Sequence, residues 1–183
     1  MITKKNNMDI RTVVKAGSLV AISIVMTRFV SIMVPIGGAQ GLRISFGEVP
    51  IILAGYMFGP VVGGITGIAA DILGMLINPQ GPYYPGFTIS SMLWGVIPGL
   101  LTYVFKRDKS TLSTYSVKFI AITVSITYII VAMILNTYWL SNLYGTAFFI
   151  LLPARFLNAI ISIPVTTIVL NVLLKQLRRL TLN

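Results

Sequence analysis

Five charged side chains lie in or beside long apolar runs: Arg28, Arg43, Glu48, Asp71 and Arg155. A charge removed from water is tolerated when it is paired, or when it faces a cavity or a ligand. Three cations against two anions leave one positive charge unmatched, and an anionic ligand would supply the missing partner. Asp71 and Glu48 could also form an acid–base pair for proton transfer. That chemistry is disfavoured in a chain with no His and no Cys, which also lacks the usual ligands of zinc, haem and iron–sulfur centres and has no thiol nucleophile.

The polar and aromatic residues around these charges fall into helical registers. Gly63, Gly67, Asp71 and Gly74 are spaced four, four and three apart, so Asp71 projects from a face otherwise lined by glycine. That face leaves room for a bound molecule or for a neighbouring helix, since small residues are common at membrane helix contacts. Phe87, Ser90 or Ser91, and Trp94 share a second face, Asn136 and Trp139 a third, and Arg155, Asn158 and Ser162 a fourth. With Tyr83, Tyr84, Tyr138 and Tyr144, they gather aromatic rings and a few orienting polar groups, the composition of a pocket for a flat, polar small molecule. Tyr138, Trp139 and Tyr144 would by themselves also make an interfacial belt.

The elements that must position these residues follow from composition. Of 183 residues, 56% are hydrophobic and only 10% are charged, with a mean hydropathy of +0.90. Soluble domains carry about 25% charged residues, so the chain is expected to be a single all-α integral membrane domain over 1–183. Six spans are expected: Ala16 to Val34, Glu48 to Phe58, Pro60 to Ile77, Phe87 to Phe105, Ser116 to Leu140 and Ala147 to Leu174. Pro35 with Gly37-Gly38 ends the first, Gly59-Pro60 divides the second from the third, and Pro98 is expected to bend the fourth. Pro153 lies near the start of the sixth and Pro164 inside it. The first apolar stretch is too long for a signal-peptide core and contains Arg28, so it is expected to be retained.

The net charge of +10 is topological and does not indicate nucleic acid. Lys4, Lys5, Arg11 and Lys15 precede the first span, Lys106, Arg107, Lys109 and Lys118 lie between the fourth and fifth, and Lys175, Arg178 and Arg179 follow the sixth. With six spans all three clusters fall on one side, which the positive-inside rule makes cytoplasmic. Both termini are then cytoplasmic, with tails 1–15 and 175–183, and the aromatic-rich half faces outward. Each leftover charge also has a structural reading. Arg28 could snorkel, Arg43 and Glu48 could flank a helix start, and Arg155 could anchor at the interface. There is no G-x-x-x-x-G-K-[ST] phosphate loop, so energy for transport would come from a partner. Gly17-x-x-x-Ala21 is a small-xxx-small pair that permits close helix approach.

The run Arg43-Ile-Ser-Phe-Gly-Glu48-Val-Pro-Ile-Ile-Leu-Ala-Gly-Tyr-Met-Phe-Gly-Pro60, followed by Gly63-Gly-x-x-Gly-x-x-x-Asp71-x-x-Gly74, resembles the substrate-binding S components of energy-coupling factor (ECF) vitamin transporters. Gly81-Pro-Tyr-Tyr-Pro-Gly-Phe-Thr-Ile-Ser-Ser91 and Gly95-x-x-Pro-Gly99 look most like the folate-specific branch. The resemblance implies a six-helix bundle in the bacterial cell membrane, binding folate near the extracellular face, with no cofactor and no enzymatic activity of its own. It implies association with a transmembrane coupling subunit and two cytoplasmic ATPases, toppling of the body to carry the vitamin inward, and a gating loop after the first span. The family's docking motif on the first helix is Ala-x-x-x-Ala, and Gly17 and Ala21 stand at that position. For folate, Asp71 or Asn158 would read the pterin edge and Tyr84, Phe87 and Trp94 would stack on the rings. Arg28, Arg43 or Arg155 would meet the glutamate carboxylates, with Glu48, Ser90 and Asn136 completing the pocket. Another vitamin, or a small non-transport membrane protein, are the alternatives.

Overall fold

The computed structural model describes residues 9–36, 39–105 and 115–181, apart from the side chains of residues 32–44 and 178–181. Lys4, Lys5, Lys106, Arg107 and Lys109 and the side chains of Arg43, Arg178 and Arg179 lie outside the described residues. In chain order the elements are α1 (Ile10–Arg28), β1 (Ile32–Ile36), β2 (Ala39–Ile44), α2 (Glu48–Phe58), α3 (Pro60–Ile77) and α4 (Pro85–Phe105). They continue with α5 (Val117–Thr127), a π-helical segment (Tyr128–Leu135), α6 (Asn136–Tyr144) and α7 (Phe148–Thr181). Among the described residues, five helical stretches are long and apolar enough to cross a membrane, and α2 is a shorter apolar helix.

The helical bundle is the expected one, with corrections at its edges. The first helix stops at Arg28 rather than Val34, and Ile32–Ile36 pairs antiparallel with Ala39–Ile44. Pro35 cannot continue a helix, and the pairing register shifts between Val34 and Ile36, placing the proline at a bulge where its missing N–H is tolerated. At the outer limits the helices run on into the expected tails. Asp9 caps α1, its side chain accepting from Arg11 N at 3.4 Å, and α7 continues through Lys175 to Thr181. Lys and Arg are good helix formers, so the helices outlast the apolar spans.

Sidedness is inverted relative to a water-soluble domain. Val61, Leu76, Phe149 and Ile168 are exposed, whereas Thr66, Thr127, Thr137 and Thr166 are buried. Thr66 and Thr127 satisfy their hydroxyls by donating to the carbonyls of Val62 and Thr123, at 2.8 Å each. Backbone polarity is thus closed inside the helices, as an apolar surrounding demands.

The short helix α2 is the axis of the bundle, with every residue from Val49 to Tyr56 buried. Gly59, at φ 89°, takes a left-handed corner open to glycine, and Pro60 starts α3 at the position proline favours. Helices α2, α3 and α4 then pack backbone to backbone. A Cβ on Gly95 would collide with Gly63 O, and one on Gly67 with Ser91 O. The glycine face of α3 therefore serves mainly as a helix contact. Below the site, Ile52, Ile120, Val124 and Leu170 fill the core at 0% exposure. At that lower end, the Tyr115 hydroxyl donates to Tyr56 O at 3.0 Å and binds the start of α5 to the end of α2.

Candidate functional site

Above the core the helices part around a cavity of about 250 Å³. Its floor is set by a common height. Glu48, Asp71, Trp94 and Tyr128 each lie about eleven residues, or about 16 Å, from the lower ends of α2, α3, α4 and α5. The walls rise along α7 through Ser162, Asn158 and Arg155, and along the helix after Tyr128 through Ala132 and Asn136. The mouth is formed by residues 80–84, by Leu143 and by Tyr144.

Of the eleven side chains expected to bind a ligand, ten line this one cavity: Arg28, Glu48, Asp71, Tyr84, Phe87, Ser90, Trp94, Asn136, Arg155 and Asn158. Arg43 pairs through its backbone with Met33, and its side chain is outside the described residues. Gly17 and Ala21 are exposed on α1 and do not line this cavity; Gly17 borders an apolar groove between α1 and α3, with Val20, Val62 and Ile65. A Cβ on Gly17 would meet nothing within 4 Å.

The charges divide into distinct arrangements. Arg28 Nη2 is 3.6 Å from Asp71 Oδ1, and the guanidinium also donates to the carbonyls of Asp71 and Asn78 at 3.4 Å each. Gly74 makes room for it, since a Cβ there would sit 2.9 Å from Arg28 Nε. Asp71 Oδ2 accepts from Thr88 Oγ1 at 2.7 Å, and Thr88 in turn contacts the Tyr83 hydroxyl at 3.2 Å. The carbonyl of Arg28 accepts from Asn78 Nδ2 at 3.2 Å and Gln80 Nε2 at 2.9 Å. Snorkelling is thereby excluded for Arg28, which joins the end of α1 to α3 and to the loop at the mouth. Glu48 takes a different partner, accepting from the Tyr128 hydroxyl at 2.6 Å.

Arg155 remains. It is buried at 9% exposure, lines the cavity, and forms no salt bridge among the described residues. Its Nε has no hydrogen-bond partner there, nor do Ser90 Oγ, Asn136 Oδ1 and Gln80 Oε1, all on cavity-lining residues. Buried polar atoms are normally paired, and leaving one unmade costs about 1–3 kcal/mol. Several converging on one cavity describe a site complementary to something polar and anionic.

The aromatic groups sort by depth. Trp94 meets Tyr128 edge to face at 4.7 Å on the floor. Tyr84 contacts Phe87 at 6.0 Å and Trp139 at 5.8 Å nearer the mouth. Trp139 stands behind the wall against Gly86, 2.5 Å from where a Cβ would lie. Sequence reasoning missed Tyr128, a cavity residue whose hydroxyl donates to the Glu48 carboxylate at 2.6 Å. A lone tyrosine in an apolar run carries little signal, although its four-residue spacing to Ala132 and on to Asn136 is visible once the face is known.

Residues 7–179 match the family model of the ECF-type riboflavin transporter, S component. A folate transporter, FolT, of Clostridium novyi (strain NT) is 38% identical over 162 residues, covering 88% of this chain and 87% of the relative. A riboflavin transporter, RibU, of Staphylococcus aureus (strain TCH60) is 31% identical over 146 residues, covering 79% and 73%. Among solved structures, a crystal structure of FolT bound with folic acid superposes with a TM-score of 0.76 at 27% identity, over 92% of this chain and 95% of that one.

Proposed function

The chain belongs to the S components of ECF-type transporters, and from that membership we propose that it is the folate-capturing subunit of an importer. It is a multi-pass protein of the bacterial cell membrane and a transport subunit, not an enzyme. The observation that carries the folate reading is Arg155, a buried guanidinium facing the cavity with no salt bridge to an acid among the described residues. Folate brings two carboxylates on its glutamate tail and a flat pterin at the other end. The tail is assigned to Arg155 and Asn136 on the upper wall, and the rings to Phe87, Tyr84 and Trp94. Arg28 and Asp71 hold the wall and the mouth together, and Ser90 and Asn158 are left to complete the ligand's hydrogen bonds.

The second reading is riboflavin, favoured by the matched family model and the staphylococcal relative. Its lack of a carboxylate leaves Arg155 uncompensated, which places folate first.

Arg11, Lys15, Lys118 and Lys175 all lie at the lower end of the bundle, which by the positive-inside rule supports a cytoplasmic lower end and a mouth that opens outside. S components work with an ECF module. Here that module would be a transmembrane coupling subunit with two ATPases, approached through Gly17 and Ala21, and the single membrane domain would topple to deliver its ligand. The testing experiment is titration of the purified chain with folic acid and with riboflavin, following fluorescence of Trp94 and Trp139. Saturable nanomolar quenching by folic acid supports the reading. Saturation by riboflavin alone would replace it.

A further inference from the structure

We infer that Gln80, at the mouth, is a specificity-determining residue that accepts the amide N–H joining the ligand's aromatic part to its carboxylate tail. The inference rests on the folate reading and deepens it, naming what the site requires between the rings and the carboxylates. Gln80 lines the cavity, and its two amide atoms have different surroundings. Nε2 donates to the carbonyl of Arg28 at 2.9 Å. Oε1 is buried and has no hydrogen-bond partner among the described residues. The bond to Arg28 decides which end is oxygen, because the reversed amide would set oxygen against a carbonyl oxygen.

Two other cavity-lining side chains hold unpaired oxygens, Ser90 and Asn136. Neither has a fixed polarity. A hydroxyl turns to donate or to accept, and the Asn136 amide has no hydrogen bond among the described residues that fixes its two ends. Of the three, Gln80 is the one committed as an acceptor. An acceptor shut away from water and left unpaired is satisfied by a donor that arrives with the ligand. Height selects that donor. Gln80 follows the end of α3, where Ile77 is about 9 Å above Asp71 along the helix. Arg155 stands about 16 Å above Thr166, which contacts Tyr128 on the floor. With the rings low and the carboxylates at Arg155, the group that passes Gln80 is the secondary amide between the benzoyl ring and glutamate. Its N–H is the donor of that part of the ligand, and a site built to pair with a donor strongly rejects an analogue lacking it.

The test measures Kd for folic acid and for its ester analogue, with oxygen in place of the amide N–H, on the intact chain and on Gln80→Met and Gln80→Ala. The analogue keeps the rings, both carboxylates and the extended trans geometry, and it turns a lone pair towards Oε1 where folic acid turns a donor. The wild type is expected to prefer folic acid by about 30-fold. Both variants also lose the bond to the Arg28 carbonyl, which affects the two ligands alike and cancels in the ratio. They are expected to bring the ratio below about 3-fold, because no committed acceptor remains. A ratio that stays above that value in a folded variant overturns the inference while leaving folate capture standing. So does a wild type that binds amide and ester equally. If neither variant folds, a wild-type ratio above about 3-fold supports the inference and a smaller one overturns it. A wild type that binds no folic acid removes the folate reading itself.

Discussion

Replacing Arg155 by methionine should move stability and affinity in opposite directions. Methionine keeps much of the arginine's volume and removes its charge. In the ligand-free protein the guanidinium is buried, has no acid partner among the described residues, and has an unpaired Nε. Its desolvation is therefore uncompensated until the ligand arrives, and its removal should stabilise the empty protein by about 1–2 kcal/mol. At about 2–4 °C per kcal/mol for a chain of this size, Tm should rise by several degrees. In the complex the same change removes a buried, hydrogen-bonded charge pair, which costs about 2–5 kcal/mol. Taking about 3 kcal/mol, folic acid should bind about 100-fold more weakly. The assay pairs thermal unfolding in detergent with tryptophan quenching by folic acid and by pteroic acid, which lacks the glutamate. Pteroic acid should bind the wild type weakly and lose little more in Arg155→Met. The reasoning is refuted if the variant has a lower Tm without ligand and weakens both ligands alike, since Arg155 would then be a structural residue.

Three further outcomes follow from the packing. Gly67→Ala places a methyl group against Ser91 O, so it should destabilise the protein by about 1–3 kcal/mol in thermal unfolding; an unchanged Tm would contradict the close α3–α4 approach. Arg28→Ala and Asp71→Ala touch the same interaction, 3.6 Å across, so a double-mutant cycle on stability should show coupling of about 1 kcal/mol or more. Additive losses would place the pair outside any shared role. Gly17→Phe fills open space on α1, so folic acid affinity should stay within about twofold while copurification with the ECF module is lost. Retained copurification would move docking elsewhere.

The helices were legible because lipid leaves only a few signals to read. Long apolar runs and punctuation such as Gly59-Pro60 mark crossing segments directly, and α2 and α3 have the expected bounds. The hairpin was not legible, because Ile32-Met-Val-Pro-Ile36 continues the apolar run, and a short apolar run does not distinguish helix from strand. Charge counting led to Arg28, Glu48, Asp71 and Arg155, which line one cavity, since an isolated charge in an apolar run has few reasons to be there. Pairing was beyond it. Arg28 and Asp71 are 43 residues apart, Glu48 and Tyr128 80 apart, and only the fold decides which carboxylate meets which donor. Tyr128 escaped notice because its role lies in a partner on another helix.

The cavity has a solid floor, with Ile52, Val124 and Leu170 closed beneath it. A ligand must leave by the mouth through which it came, so residence time is a constraint on transport. At nanomolar affinity and an ordinary association rate of about 10⁶ M⁻¹ s⁻¹, spontaneous loss would run near 10⁻³ s⁻¹, or roughly a quarter of an hour per molecule. Tight capture from dilute surroundings and rapid delivery are then incompatible within one rigid shape. Delivery by the proposed toppling would have to open the mouth on the inward side, and the Arg28 links to Asn78 and Gln80, which tie α1 to the loop at the mouth, are bonds that such an opening would strain.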